Sequence, residues 1–505
     1  MAESYEICRR CKCRVYTDSD LFHDYAERDD KLGQVVDGRC EACDAAHNAP
    51  VPPLDVEALF SPTGPLARPG FEARPGQVKL ARSIFDALAH GQHLLAEGPC
   101  GIGKSKAYGV PASYLASHGK KVLIVTASIA LQEQLVLKDL PDLAAELPWD
   151  FSFALLKGRP NYLCRTKLKD VEKDGLNASE RDEMASILEW AGLTTTDATP
   201  THVRRRLPIL EPTVGGDKSE LPFKPTDNTW RRVSTTSDEC PGSKCSQYRE
   251  CYVTQARVAA QDAGIVVTNY HMFFLNLASG GMVLPGYDVV ILDEAHEAAD
   301  IAREVLGFSV GRNAFDRVAK AAEKANRPDL ADPIRHASRQ FFDTLARFGQ
   351  SDHYKAYLRW PAPIDATSLS EAVTAYVKAA TKSPVAEYAQ TSLKRVTDAL
   401  TLADENVVYS IDLQEHEGPT GRQVRARLKS QYVEPGQVLS TLLWADTPGI
   451  AAVSATLTTD MRFHFARREL GAPDTATEII VESPFNFARQ GLLVMPQNLP
   501  EPGDP

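Results

Sequence analysis

The segment HLLAEGPCGIGKS (93–105) constrains this 505-residue chain more than any other. A short apolar run leads directly into Gly98-Pro99-Cys100-Gly101-Ile102-Gly103-Lys104-Ser105, which fits the pattern G-x-x-x-x-G-K-[ST]. Glycines at these positions let backbone N–H groups turn inward around phosphates, because no Cβ obstructs the turn. Lys104 can then reach the β- and γ-phosphates of a nucleoside triphosphate, and Ser105 can ligate Mg²⁺. A helix beginning near Lys104 adds the positive end of its dipole. Strand, glycine-rich turn and helix together demand an α/β core. Cys100, inside the loop, reads as a small filler and not as a metal ligand.

Four further runs behave like the first. KVLIVTA (121–127), AGIVVTNY (263–270), YDVVILDE (287–294) and GIAAVSATL (449–457) are continuous and apolar, not alternating. Such runs suit strands buried on both faces of a parallel sheet, and the helical stretches between them predict a doubly wound arrangement. YDVVILDE ends in Asp293-Glu294 and is followed by Ala295-His296, so carboxylates stand at a strand end. Opposite a phosphate loop, Asp293 would hold Mg²⁺ through water and Glu294 would polarise an attacking water.

Two insertions interrupt the core. Residues 157–260 are polar, include a loop-like stretch at 212–230 and carry four cysteines. Residues 303–440 lack cysteine and read as mostly helical, with Ile334, Ala337, Phe341, Leu345 and Phe348 on one apolar helix face. All ten cysteines fall in the first 251 residues, a crowding that reads as metal ligation in a reducing compartment. Cys164, Cys240, Cys245 and Cys251 number what either a [4Fe–4S] cluster or tetrahedral zinc requires. At the amino terminus, Cys8-Arg-Arg-Cys11 and Cys40-Glu-Ala-Cys43 form two CxxC pairs with the spacing of a zinc ribbon. Cys13 competes with Cys11 there, and His23 or His47 could replace a sulfur. Fifty residues bury little core, so Zn²⁺ would supply much of that module's folding energy.

Charge and composition narrow the class. With 43% hydrophobic residues the chain can build packed cores, which excludes global disorder. A net charge of −11 argues against a general polyanion binder but allows a local basic groove. Arg204-Arg205-Arg206 and Trp230-Arg231-Arg232 are candidate nucleic-acid contacts. No apolar run approaches a membrane span, and MAESYEICRR lacks the apolar core of a secretory leader, so a soluble, cytoplasmic protein without membrane partners is expected.

The phosphate loop, Asp-Glu-Ala-His and Val453-Ser454-Ala455-Thr456-Leu457 resemble motifs I, II and III of superfamily 2 helicases. More specifically, the chain resembles the DinG/XPD family of iron–sulfur DNA helicases. RPGQ (74–77) is similar to the family's adenine-reading motif, with Gln77 the base contact. TASIALQEQLVLKDLP (126–141) resembles the segment of motif Ia, which makes Thr126 and Ser128 candidate DNA contacts. KGRPNYLC (157–164) resembles the entry to the cluster domain, and ESPFNF (482–487) the exit from the first motor lobe. The resemblance spans roughly 63–490. It implies a RecA-like lobe that binds ATP and Mg²⁺ through Gln77, Gly98, Gly101, Gly103, Lys104 and Ser105. Lys104, Asp293, Glu294 and His296 would be catalytic, while Ser454 and Thr456 would couple hydrolysis to motion. For the four distal cysteines it favours iron–sulfur over zinc. It implies 5′-to-3′ movement on single-stranded or tailed DNA, in repair or replication.

The expected organisation is a zinc-ribbon-like module (1–50), a linker (51–62), and a RecA-like lobe in three pieces (63–156, 261–302, 441–487). A cluster domain (157–260) and a helical arch (303–440) interrupt the lobe, and a linker (488–505) follows. The zinc module lies outside the family pattern, and DNA or protein docking are its plausible uses. After Thr456 only 49 residues remain, ending in QNLPEPGDP, and a second motor lobe needs on the order of 150. A second polypeptide, or the rest of a longer gene, is therefore expected to supply it. The rival expectation is a nucleotide-gated DNA-binding or adaptor protein without motor activity.

Overall fold

A computed structural model describes the chain except for residues 1–4, 8–13, 17–30, 33–34, 37–38, 41–48, 68–71, 73, 170–175, 194–214, 238, 352–356, 359–360, 381–382, 419–420, 446, 486, 493 and 495–505. Contacts divide it into two units: Met1–Ala298 with Ser440–Arg467 and Ala472–Pro505, and Ala299–Leu439 with Arg468–Gly471.

The first unit is built on a seven-stranded sheet in which every pairing is parallel. Its strands are β1 (His93–Glu97), β2 (Val122–Thr126), β3 (Phe153–Leu155), β4 (Ile265–Asn269), β5 (Val289–Asp293), β6 (Gly449–Ser454) and β7 (Thr477–Ile480), in the spatial order 7-1-6-5-2-4-3. All five continuous apolar runs are strands of this sheet. β2 and β5 are buried at every position, as expected for strands covered on both faces. Each fully buried Val, Ile or Leu contributes roughly 1.5–3 kcal/mol, so these runs dominate the core. Helix α1 (Pro75–Ala89) starts with Pro75 at its first turn, where no intrahelical N–H partner is lost. It buries Leu80, Ala81, Ile84, Phe85 and Leu88 at helical spacing against the sheet. Helix α2 (Lys104–Ser117) follows β1 directly, its N-cap Gly103 at φ 85°.

Order 1-6-5 sets the function. β6 lies more than 150 residues after β5 in the chain, yet it pairs between β1 and β5. In register, Asp293 stands beside Val453, and Ser454 beside Glu97. The carboxyl ends of three distant strands thus meet at one edge, where α/β sheets bind ligands.

Within the 157–260 insertion, the stretch 212–230 is not all loop. Thr226 accepts a hydrogen bond from the Thr229 amide and caps a helix over Asp227–Val233. The insertion is fastened to the lobe by a buried charge cluster. Lys157, 1% exposed, places Nζ 2.7 Å from Asp217 Oδ2 and 2.7 Å from Glu133 Oε1, and donates to Ser219 Oγ at 3.0 Å.

The second unit contains the helix Pro328–Gly349, which buries Ile334, Ala337, Phe341 and Leu345 as the sequence periodicity predicts. The segment is mostly helical, as expected, and it also contains strands that the sequence reading did not place. Two 12-residue strands, Val407–Gly418 and Gly421–Tyr432, pair antiparallel, and Phe308–Gly311 adds a third strand. Their period is two: Tyr409, Ile411, Ala426 and Leu428 are buried, with Ile411 opposite Leu428, while Ser410, Asp412, Arg425, Arg427 and Lys429 alternate with them.

Candidate nucleotide-binding site

The phosphate loop joins β1 to α2. Gly101 and Gly103 take φ of 83° and 85°, which only glycine adopts without strain. A Cβ on Gly103 would lie 2.2 Å from Gln77 Nε2, and one on Gly101 would run into the Phe485 ring. Gln77, 7% exposed, donates its amide N–H to the Gly103 carbonyl at 3.0 Å. The Arg74 guanidinium donates to the Gly101 carbonyl. The amide of Gly98 is bound by the Ser454 carbonyl, which ties the loop to β6.

Lys104 Nζ stands 3.2 Å from Glu294 Oε1, pairing the cation of the phosphate loop with the carboxylate at the end of β5. Glu294 itself has φ 50° and ψ 49°, a left-handed conformation that costs a non-glycine residue about 1–3 kcal/mol. Asp293, 5% exposed, accepts a hydrogen bond from Tyr108 at Oδ2 (3.2 Å), and its carbonyl accepts one from Tyr270 (3.0 Å). Burial, reinforced by the neighbouring negative Glu294, pushes the Asp293 carboxyl up to about 7, against the pull of Tyr108 and Lys104. A divalent cation beside it would favour the ionised form. The donor set of a buried carboxylate and the Ser105 hydroxyl matches how Mg²⁺ is held, by one or two protein oxygens plus phosphates.

His296 connects this site to β6. Its Nδ1 lies 2.7 Å from Ser454 Oγ and 3.5 Å from Glu294 Oε2, while Nε2 lies 3.3 Å from Glu297. Ser454 Oγ also receives the Thr456 amide at 3.2 Å and stands 3.5 Å from Glu294 Oε2. Glu97 closes the arrangement by accepting the amides of Leu457 and Thr458 and the Thr458 hydroxyl. Glu97, Tyr108, Tyr270 and Arg74 escaped the sequence reading. A lone acid ending an apolar strand was the available signal for Glu97; nothing local marks the tyrosines.

Thr126 is fully buried and spends its hydroxyl on the Ser128 carbonyl, and Ser128 caps the helix Ile129–Gln134. Trp230 is 4% exposed and donates its indole N–H to the Pro160 carbonyl, so it packs the insertion and offers no face for a base. Arg231 is exposed. Arg204, Arg205 and Arg206 lie outside the described residues, as do Cys8, Cys11, Cys13, His23, Cys43 and His47. Cys40 is described and buried, opposite Val35 in a short antiparallel pair.

Cys164, Cys240, Cys245 and Cys251 are partly buried and none is in a disulfide. The Cys164 amide binds the Val233 carbonyl, and Cys245 Sγ lies 3.3 Å from Thr166 Oγ1. Arg257 is electrostatically coupled to both Cys240 and Cys251. These links bring the four to neighbouring loops, but among the described residues no group of three or more His, Cys, Asp or Glu stands close enough to hold a metal ion. Four thiols are the number a cluster requires, while their arrangement falls short of its geometry. No helix of the described residues is long and apolar enough to cross a membrane.

The DEAD_2 family model matches residues 236–315, which include the Asp293–His296 strand end. The ATP-dependent DNA helicase YoaA of Escherichia coli (strain K12) is 30% identical over 467 residues, covering 88% of this chain and 70% of that protein. The chain belongs to the DinG/XPD-like superfamily 2 helicases. The ATP-dependent helicase DinG of Mycobacterium tuberculosis (strain ATCC 25177 / H37Ra) is 34% identical over 291 residues, 56% of this chain and 43% of that protein. A solved XPD helicase aligns over 81% of this chain and 62% of its own, at 13% identity and a TM-score of 0.40. In this DinG/XPD-like chain the phosphate loop, Asp293–Glu294 and Ser454 meet at one sheet edge.

Proposed function

We propose that this protein is an ATP-dependent DNA helicase whose 505 residues hold the ATP-binding lobe and move 5′ to 3′ on single-stranded DNA. The observation that carries this reading is the chain of contacts that runs from Lys104 to Glu294 and from Glu294 to His296 and Ser454. ATP would sit on the phosphate loop, with Lys104 on its β- and γ-phosphates and Gln77 reading the base. Ser105 and Asp293 would hold Mg²⁺, which supplies charge neutralisation on the phosphates. Glu294 would accept a proton from the attacking water, and the His296–Ser454 bond would report the γ-phosphate to the segment after β6. In two-lobed motors a second lobe supplies the arginines that complete hydrolysis, worth about 10³–10⁵ in rate in related systems. Residues 157–260 are read as a [4Fe–4S] domain and 303–440 as an arch. Zn²⁺ is assigned to the amino-terminal cysteines.

The test is strand displacement on a 5′-tailed duplex. With a second RecA-like lobe supplied, the protein should unwind in an ATP-dependent manner and Lys104→Ala should abolish it. ATP binding and DNA binding with no displacement under those conditions would favour a nucleotide-gated adaptor instead. The cluster has its own check. Anaerobically purified protein should be brown and carry about four irons per chain. Cys240→Ser should bleach it, whereas Cys8→Ser should keep the colour and lower bound zinc. Zinc without iron would overturn the cluster.

A further inference from the structure

Asp293 is held from two sides by buried phenols that a purely apolar core would not need. Tyr108 is 1% exposed and sits on α2 one turn beyond Ser105; Tyr270 is fully buried and opens the helix that follows β4. Phenylalanine would fill both positions without the cost of burying a hydroxyl, about 1–3 kcal/mol when unsatisfied. Both hydroxyls instead converge on one residue, Tyr108 on the carboxylate and Tyr270 on the carbonyl. Ser105 stands one turn before Tyr108 on the same helix. Tyr108 therefore ties the helix that carries Ser105 to the Asp293 carboxylate, across 185 residues of sequence.

We infer that Tyr108 is a positioning residue for the divalent cation that accompanies ATP. Its hydroxyl holds the Asp293 carboxylate beside the helix that carries Ser105, so that the carboxylate need not be reoriented when the cation binds. Preorganisation of this kind strengthens cation binding without touching the phosphates. The inference rests on the nucleotide-site reading, and its test separates the two.

Mn²⁺ binding to the 505-residue chain with ADP, followed by the paramagnetic signal of free Mn²⁺, is compared for wild type, Tyr108→Phe, Asp293→Asn and the double variant. ADP affinity in EDTA and the unfolding midpoint are measured beside it. Tyr108→Phe should weaken Mn²⁺ about tenfold, the scale of one charge-assisted hydrogen bond, with ADP affinity in EDTA and the midpoint unchanged. In the Asp293→Asn background the same change should have no further effect, because Tyr108 acts through that carboxylate. Wild-type Mn²⁺ affinity in Tyr108→Phe, or equal losses in both backgrounds, overturns the inference. A parallel fall in EDTA-measured ADP affinity and midpoint does so too, by revealing a structural role. Failure of wild type to bind ADP at all would sink the nucleotide-site reading itself.

Discussion

Glu294→Gln should bind ATP at least as tightly as the unsubstituted chain, while Lys104→Ala should bind it about 10–100-fold more weakly. The second figure follows from losing one charge-assisted contact to phosphate, about 1.5–3 kcal/mol. The first follows from the resting geometry. Lys104 is engaged by Glu294 at 3.2 Å, with both side chains only partly exposed, so ATP must break that pair before Lys104 can serve it. An amide at 294 keeps the shape but releases the lysine. Its cost should fall on hydrolysis, about 10²–10⁴-fold, because the group that takes the proton from water is gone. Equilibrium titration with a fluorescent nucleotide, alongside turnover in the two-lobed assembly, separates the effects. Weaker ATP binding by Glu294→Gln than by wild type would show that the pair does not compete with nucleotide.

Lys157→Met should destabilise the first unit by about 3–5 kcal/mol, the usual consequence of leaving a buried charge without its partner. Asp217 is 1% exposed, and its other oxygen is already spent on the Ser219 amide and hydroxyl, so it cannot turn to water for compensation. The measurement is the urea midpoint of the full chain, with hydrogen exchange locating the loss. Exchange should accelerate at 215–221 and 129–134, the two segments the lysine joins. Replacing Asp217 as well, in Lys157→Met/Asp217→Leu, should recover much of the stability, since an apolar pair of similar volume is often no worse than a buried ion pair. An unchanged midpoint in the single variant would mean that water reaches the cluster after all.

Both predictions use partners that lie far apart in the chain, and here the sequence and the folded molecule divide the information. Local sequence determined the elements around the phosphate loop. Continuous apolar runs specify doubly buried strands, glycines specify the turn, and Lys104 opens the helix. The same local reading missed the hairpin at 407–432, although its alternation is plain once Tyr409 and Ile411 are set against Ser410 and Asp412. The long helices that precede it in the chain drew the period toward 3.6. It also offered Trp230 as a surface for bases, because a tryptophan beside two arginines looks the same whether its indole faces solvent or the Pro160 carbonyl.

Tertiary structure alone decided which strand ends are neighbours. β6 enters between β1 and β5, and this one choice puts Ser454 against His296, Glu97 against Thr458, and the Gly98 amide against the Ser454 carbonyl. It is also what packs α2 and the start of the helix after β4 around Asp293, so that Tyr108 and Tyr270 find it. The physical reason is range. Propensity, periodicity and turn chemistry act over a few residues and are written locally, whereas strand order minimises exposed apolar surface over the whole sheet, and a buried hydroxyl takes whichever acceptor that packing brings within about 3 Å.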